Sequence, residues 1–134
     1  MSGFVGGRPV PPAVELLGFT LISADPDLGV AEVDFTGRPE FLNLMGYVQG
    51  GYLAAMLDAV SSTAVLAQLP ADQLAPTIEM KTSFLRPAPA GRIVGHGRVV
   101  HRGRSIAFLE GSLSDPDGAL LATSTATVRI VVRR

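Results

Sequence analysis

The sequence predicts an α+β fold in which one curved antiparallel sheet wraps around a single long central helix. One segment, residues 50–67, is apolar almost throughout and long enough for about five helical turns. Segments on either side alternate apolar and polar residues, and short turns separate them. A helix that is apolar on nearly every side must be enclosed, and hairpin-length turns favour antiparallel pairing. The strands are therefore expected to supply the enclosure.

The chain ahead of the helix predicts two strands. Gly and Pro are frequent in residues 1–12, so this start is expected to be flexible. Asp25-Pro26-Asp27 strongly favours a turn, and it separates the two strands. The predicted segments are a helical turn at 13–17, strands at 19–24 and 30–35, and an irregular stretch at 38–49.

Four more strands are predicted after the helix. Residues 115–118, Asp-Pro-Asp-Gly, have the composition of a hairpin turn between the last two. Gly95 and Gly97 share a face with the apolar residues of their strand. We expect this face to meet the helix closely, because a glycine adds no side chain between the two backbones. The predicted strands are 77–85, 92–102, 105–114 and 120–132.

Composition indicates one domain, residues 1–134, with 47% hydrophobic and 17% charged residues. The low charged fraction suggests that a partner subunit covers part of the surface. A net charge of −1 argues against a nucleic-acid-binding protein. The chain has no Cys, and its first residues lack the pattern of a signal peptide, so a cytoplasmic location is expected. The apolar helix is a poor membrane span, because it carries a charge, serines and glycines.

Asp58 is the one charged residue within the long helix. A carboxylate is costly to bury, so its place among Leu, Met and Ala is unlikely to serve packing alone. The helix opens on Gly50-Gly51, where backbone N–H groups are free and the helix dipole is positive. An acid and an anion-stabilising helix start are the components of an acyl-transfer site.

The segment 43–58 has an ordered pattern around this helix start. It runs from Asn43 through Gln49-Gly50-Gly51 and an apolar stretch to Asp58. It resembles the central segment of the PaaI-like acyl-CoA thioesterases, a hotdog-fold family. That family has His where this chain has Gln49. Two later segments, 76–80 and 102–108, resemble the family strand that carries a Ser or Thr in the site and the family's basic turn.

The resemblance implies hydrolysis of an acyl-CoA thioester to the free acid and CoA. No cofactor is implied, since coenzyme A is part of the substrate. Asp58 would act as general base or nucleophile, the N–H of Gly50 would polarise the thioester carbonyl, and Gly51 would contact the substrate. The other reading of Asp58 is a structural acid paired with an arginine across an interface. Asn43 and Gln49 would position the water, the acid or the thioester.

For two groups of residues, the sequence leaves open whether they belong to the site or occupy ordinary surface positions. Thr77 would hold the water or orient Asp58, or else it is a surface strand residue, since it alternates in phase with Glu79 and Lys81. Guanidinium groups suit the phosphates of CoA, but solvated charge is the simpler reading for any single arginine. The arginine candidates are Arg86, Arg102 and Arg104.

Spacing along the helix predicts how the site is assembled. Asp58 lies eight positions after Gly50, which is about 12 Å along a helix axis. Both groups of one chain are therefore too far apart to act on one carbonyl carbon. Two antiparallel helices across a twofold axis would bring Gly50 of one chain near Asp58 of the other. The expected protein is a homodimer with shared sites. The resemblance implies further pairing into a dimer of dimers, without indicating which faces would pair.

Two other functions remain open. Gln49 can form hydrogen bonds but cannot titrate as His does, so a non-catalytic protein that binds acyl-CoA or another apolar ligand is the alternative. A hotdog hydratase or dehydratase is less favoured, because that chemistry normally pairs a His with an acid. His96 and His101 fall on opposite faces of their strand, so no metal site is expected. The acyl group is not predicted; aromatic candidates to line its pocket are Phe41, Tyr47, Tyr52 and Phe84.

Overall fold

The computed structural model describes residues 3–133 and confirms the predicted α+β architecture. Six antiparallel strands form one sheet in the order β1-β2-β5-β6-β7-β4, and β3 and β8 form a small second sheet. The elements are α1 (Pro12–Leu16), β1 (Thr20–Asp25), β2 (Val30–Gly37), a 3-10 turn (Pro39–Phe41), α2 (Gly50–Leu66), β3 (Gln73–Leu74), β4 (Thr77–Phe84), β5 (Gly91–Arg102), β6 (Ile106–Ser114), β7 (Leu120–Arg129) and β8 (Val131–Val132).

Helix α2 is the centre of the core. Ten of its 17 residues are buried, and they are distributed around the helix rather than along one stripe. Met56, Leu57 and Val60 pack into one apolar cluster with the inner faces of β2, β5 and β6, while Val65 and Leu66 belong to a second cluster. The sheet must therefore curve around the helix, as the apolar composition of the helix predicts.

Gly95 and Gly97 of β5 lie against the helix, as predicted. A Cβ on Gly97 would overlap the backbone oxygen of Val60, and a Cβ on Gly95 would lie 2.8 Å from the ring of Phe35. Across the sheet, Gly97 is paired with Gly111 of β6, which also faces the helix. Glycine at these positions lets the helix backbone approach the sheet more closely than any side chain would allow.

The end of the chain differs from the prediction of one strand over 120–132. The strand breaks at Ile130, whose N–H donates to the carbonyl oxygen of Ser105. Beyond the break, β8 pairs with β3, a strand that the sequence did not predict. Two-residue strands are too short to show alternation, and the prolines around β3 resemble those of a loop.

The start of the chain also differs from the predicted flexible segment of residues 1–12. Met1 and Ser2 lie outside the described residues, but Val5 and Arg8 are buried. Burial lowers the pKa of Arg8 from its ordinary value, and Asp72 acts in the opposite direction. The Arg8 guanidinium donates to carbonyl oxygens at and beyond the end of α2, and so caps that end of the helix. The acceptors at this end are Leu66, Leu69, Pro70 and Gln73, and one further bond goes to the carbonyl oxygen of Val5.

Gly97→Ala is expected to destabilise the fold. The added Cβ overlaps the carbonyl group of Val60, which is helix backbone and cannot rotate away. We expect the free energy of unfolding to fall by about 2–3 kcal/mol, measured by urea denaturation. Gly51→Ala is the control: a Cβ there meets nothing within 4 Å, so a change within about 0.5 kcal/mol is expected. Equal stability of the two variants would contradict the close approach of helix and sheet.

Candidate active site

Asp58 and Thr77 meet at the side of the helix that faces β4. Asp58 is half-buried in the middle of α2, and the hydroxyl of Thr77 donates to its Oδ1 at 2.7 Å. Among residues 3–133, Asp58 forms no ion pair. One carboxylate oxygen is thus fixed by a neutral donor, which orients the group without neutralising its charge.

A β-bulge explains why Thr77 faces the helix. The sequence places Thr77 in phase with Glu79 and Lys81, and a regular strand would turn all three side chains to one face. The register shifts between Thr77 and Glu79, so Thr77 pairs with the fully buried Val128 and escapes this alternation. The hydrogen bond joins Thr77 to Asp58, while the role of Thr77 in the site stays a prediction.

The start of α2 presents free backbone donors. Gln49 is the N-cap residue, and its carbonyl oxygen accepts the N–H groups of Tyr52 and Leu53. Within the described part of the chain, the N–H groups of Gly50 and Gly51 have no acceptor, and no side chain caps the helix. Free N–H groups at the positive end of a helix dipole favour a negatively charged or polarised oxygen.

Asn43 and Gln49 hold different positions near this helix start. The side-chain oxygen of Asn43 accepts the N–H groups of Met45 and Tyr47, so Asn43 shapes the turn that leads into the helix. Gln49 is exposed, and its backbone N–H donates to Phe41. The structure thus gives Asn43 a role in the loop, while the predicted roles of both amides in positioning reactants stay predictions.

The three candidate arginines are all exposed, and two of them have partners within the chain. Arg86 donates to the carbonyl oxygen of Leu120, and Nε of Arg102 donates to Oε1 of Gln68. Arg104 has no hydrogen bond or ion pair to another described residue. Arg104 is therefore the candidate whose guanidinium is most available to a phosphate group.

Phe84 lies against the helix start. The sequence places this aromatic residue at the end of a strand but does not indicate which element its ring meets. A Cβ on Gly50 would lie 3.1 Å from Cζ of Phe84 and 3.4 Å from both Cε atoms. The tip of the ring therefore points at Gly50. Strand β4 thus contacts α2 at both ends, through Thr77 at Asp58 and through Phe84 at Gly50.

Cavities of the single chain lie away from these residues. One of about 680 Å³ crosses the outer face of the sheet, and another of about 780 Å³ lies beside the start of the chain. Neither is lined by Asp58 or Gly50. Over residues 3–133 there is no group of three or more His, Cys, Asp or Glu side chains placed to hold a metal ion. None of the helices in the same range has the length and apolarity needed to cross a membrane.

Comparison with known proteins identifies the class that this fold and helix define. The profile of the Thioesterase superfamily matches residues 45–122, which is more than half of the chain. The chain therefore belongs to the thioesterase superfamily. The predicted resemblance to hotdog-fold, PaaI-like thioesterases is confirmed.

Individual relatives agree with this family. A candidate thioesterase from Ralstonia eutropha JMP134, a phenylacetic acid degradation-related protein, is 42% identical, with a TM-score of 0.88 over 92% of this chain and 93% of that one. Human acyl-coenzyme A thioesterase 13 is 30% identical over 81% of this chain and 76% of its own length. A candidate esterase of Mycobacterium tuberculosis is 32% identical over 66% of this chain and 64% of its own, so the match spans less than two thirds of that relative.

Proposed function

We propose that this protein hydrolyses an acyl-CoA thioester, aliphatic or aromatic, to the free acid and CoA. The observation that carries the proposal is the Asp58 carboxylate, held by Thr77 on a helix whose first N–H groups are free. Similarity to human acyl-coenzyme A thioesterase 13 supports the same reaction. The site needs no cofactor for this chemistry, because the reactive thioester is part of the CoA substrate.

The chemistry follows from where charge develops during hydrolysis. The thioester oxygen would accept the N–H of Gly50, so that its growing negative charge lies at the positive end of α2. Asp58 would take a proton from water as the new C–O bond forms, and the departing CoA sulfur would take that proton as the C–S bond breaks. The same carboxylate could instead attack the carbonyl carbon and expel the CoA thiolate as the C–S bond breaks. Water would then hydrolyse the resulting mixed anhydride, an acyl-enzyme intermediate, to the free acid and the Asp58 carboxylate.

We infer that two chains build each site. Gly50 and Asp58 of one chain are about 12 Å apart along α2, too far to act on one carbon. β4 is an edge strand, and it contacts Gly50 at one end and Asp58 at the other. Antiparallel pairing of β4 with β4 of a second copy would place the Gly50 end of each chain beside the Asp58 end of its partner. Further assembly into a dimer of dimers stays a prediction.

CoA phosphates would be held at the turn between β5 and β6. Arg104 is the preferred residue there, because its guanidinium is not engaged by another described residue. Arg102 would have to release Gln68, and Arg86 would have to release Leu120, before either could form a bidentate phosphate contact. Gly51, exposed in the first turn of α2, would offer a second N–H to the substrate.

Gln49 is the observation that favours a second candidate function. It occupies the helix N-cap position at which the resemblance places His, and its amide cannot exchange a proton with the reactants. A protein that binds acyl-CoA without hydrolysing it would keep the same fold and the same free donors. Turnover that depends on Asp58 separates hydrolysis from binding alone.

Asp58→Asn is expected to abolish most hydrolysis while leaving the fold intact. The amide oxygen of Asn can still accept the Thr77 hydroxyl, but the amide cannot act as base or nucleophile. We expect kcat/KM to fall by about 10²- to 10⁴-fold. The measurement is thiol release from a panel of aliphatic and aromatic acyl-CoAs, and the absence of Cys removes any protein background. Asp34→Asn is the control, since Asp34 pairs with Arg92 on the outer face of the sheet.

The outcomes of this experiment divide the candidate functions. Turnover by wild type and by Asp34→Asn, with loss in Asp58→Asn, supports hydrolysis through Asp58. No turnover by any variant, with acyl-CoA binding retained by all three, supports the binding protein. Equal turnover in all three contradicts the assignment of Asp58.

Gly50→Pro tests the proposed N–H donor at the helix start. Proline is tolerated at the first helical position, and the extended backbone of Gln49 suits a residue that precedes proline. The substitution removes the N–H, and we expect kcat to fall by about 10²- to 10³-fold. Gly50→Ala is the matched control, because it keeps the N–H and adds a Cβ beside the Phe84 ring. Equal loss in both variants would attribute the effect to crowding and contradict the donor role.

Mixed dimers test whether the site is shared. Dimers that combine one Asp58→Asn chain with one Gly50→Pro chain, isolated with two affinity tags, would contain one site with both groups intact and one with neither. We expect these mixed dimers to regain thiol release that each variant lacks by itself. Failure to regain it, with the mixed dimers shown to form, would contradict the composite site.

A further inference from the structure

The ring of Phe84 covers one side of the helix start without being buried itself. Its Cζ lies 3.1 Å from the position of a Cβ on Gly50, so the tip of the ring fills the space that a side chain at Gly50 would need. The residue is nevertheless 52% exposed. About half of a large apolar side chain is thus left without packing partners in the single chain, beside the proposed oxyanion donor.

Position in the fold explains why the ring stands there. Phe84 ends the edge strand β4, and the chain leaves the sheet at Leu85, whose N–H donates to the carbonyl oxygen of Leu121. The edge position leaves one side of β4 without a neighbouring strand. Phe84 is therefore attached to a strand that is paired through β7 on one side, and about half of the residue is exposed.

We propose that Phe84 is a specificity-determining residue that forms an apolar wall for the acyl chain of the substrate. The proposal rests on the proposed function, which places the thioester oxygen at the N–H of Gly50. Atoms next to the carbonyl carbon then lie within a few ångströms of the Gly50 Cα, where the ring is. The pantetheine and phosphate parts of CoA are polar, so the acyl chain is the part that gains from contact with a hydrocarbon ring.

The proposal predicts that the Phe84 ring sets the preference of the protein for the length of the acyl chain. An acetyl group is too short to cover much of the ring, whereas a hexanoyl group adds four methylene groups that can lie along it. Phe84→Ala is expected to lower the ratio of kcat/KM for hexanoyl-CoA to that for acetyl-CoA by about tenfold, because a wall of apolar area is lost. Phe84→Leu keeps an apolar wall and is expected to retain most of the ratio.

Phe108→Ala is the matched control. Phe108 is also a strand residue, on β6, and its 47% exposure is close to that of Phe84. It is paired with Thr127 and His101 rather than with any group at the helix start. Loss of this ring is expected to leave the hexanoyl-to-acetyl ratio unchanged, so the control separates a local wall from a general loss of surface aromatics.

Measurements of turnover and of binding, made on the same variants, separate this proposal from the proposed function. If Phe84→Ala hydrolyses both substrates and its hexanoyl-to-acetyl ratio of kcat/KM stays within about threefold of wild type, or rises, then Phe84 is not a specificity wall. The proposed hydrolysis is supported in that case. No turnover, with hexanoyl-CoA binding by calorimetry weakened about tenfold in Phe84→Ala and not in Phe108→Ala, supports the wall and overturns hydrolysis. No turnover and no difference in binding overturns both.

Discussion

Enclosure of α2 is the constraint from which the rest of the structure follows. A 17-residue helix with buried residues on nearly every side has no face that water can wet at low cost, so one sheet has to surround it. The glycines of β5 and β6 make this possible, because they let the backbones of sheet and helix touch. Curvature of the sheet around the helix is the consequence of that contact.

The same enclosure confines polar chemistry to two places on the helix. Within the described residues, the N–H groups of Gly50 and Gly51 at its start have no acceptor, while its C-terminal end is closed by the guanidinium of Arg8. In the middle of the helix, Asp58 is half-buried and lies beside the start of β4. A bulge there turns the Thr77 hydroxyl toward the carboxylate. Both places border the edge strand β4, through Phe84 at Gly50 and through Thr77 at Asp58.

Much of the fold was predictable from the sequence, because its signals are periodic. The apolar run of α2, the alternation along β2 and the glycines of β5 each follow from side-chain geometry repeated over several residues. Contacts set by a single irregularity were not predictable. The phase of Thr77 depends on one bulge, the break at Ile130 on one hydrogen bond, and the cap formed by Arg8 on a segment whose composition resembles a flexible tail.

Strand order has a consequence for how the protein acquires its site during folding. β4 does not pair with the strands that flank it in sequence; its partner is β7, so Thr77 is joined to Val128 and Phe84 to Ala122. Pairings between such distant residues carry a large loop-closure entropy and form slowly. The place of β4 in the sheet therefore depends on β7, the last long strand of the chain, and so does the hydrogen bond from Thr77 to Asp58.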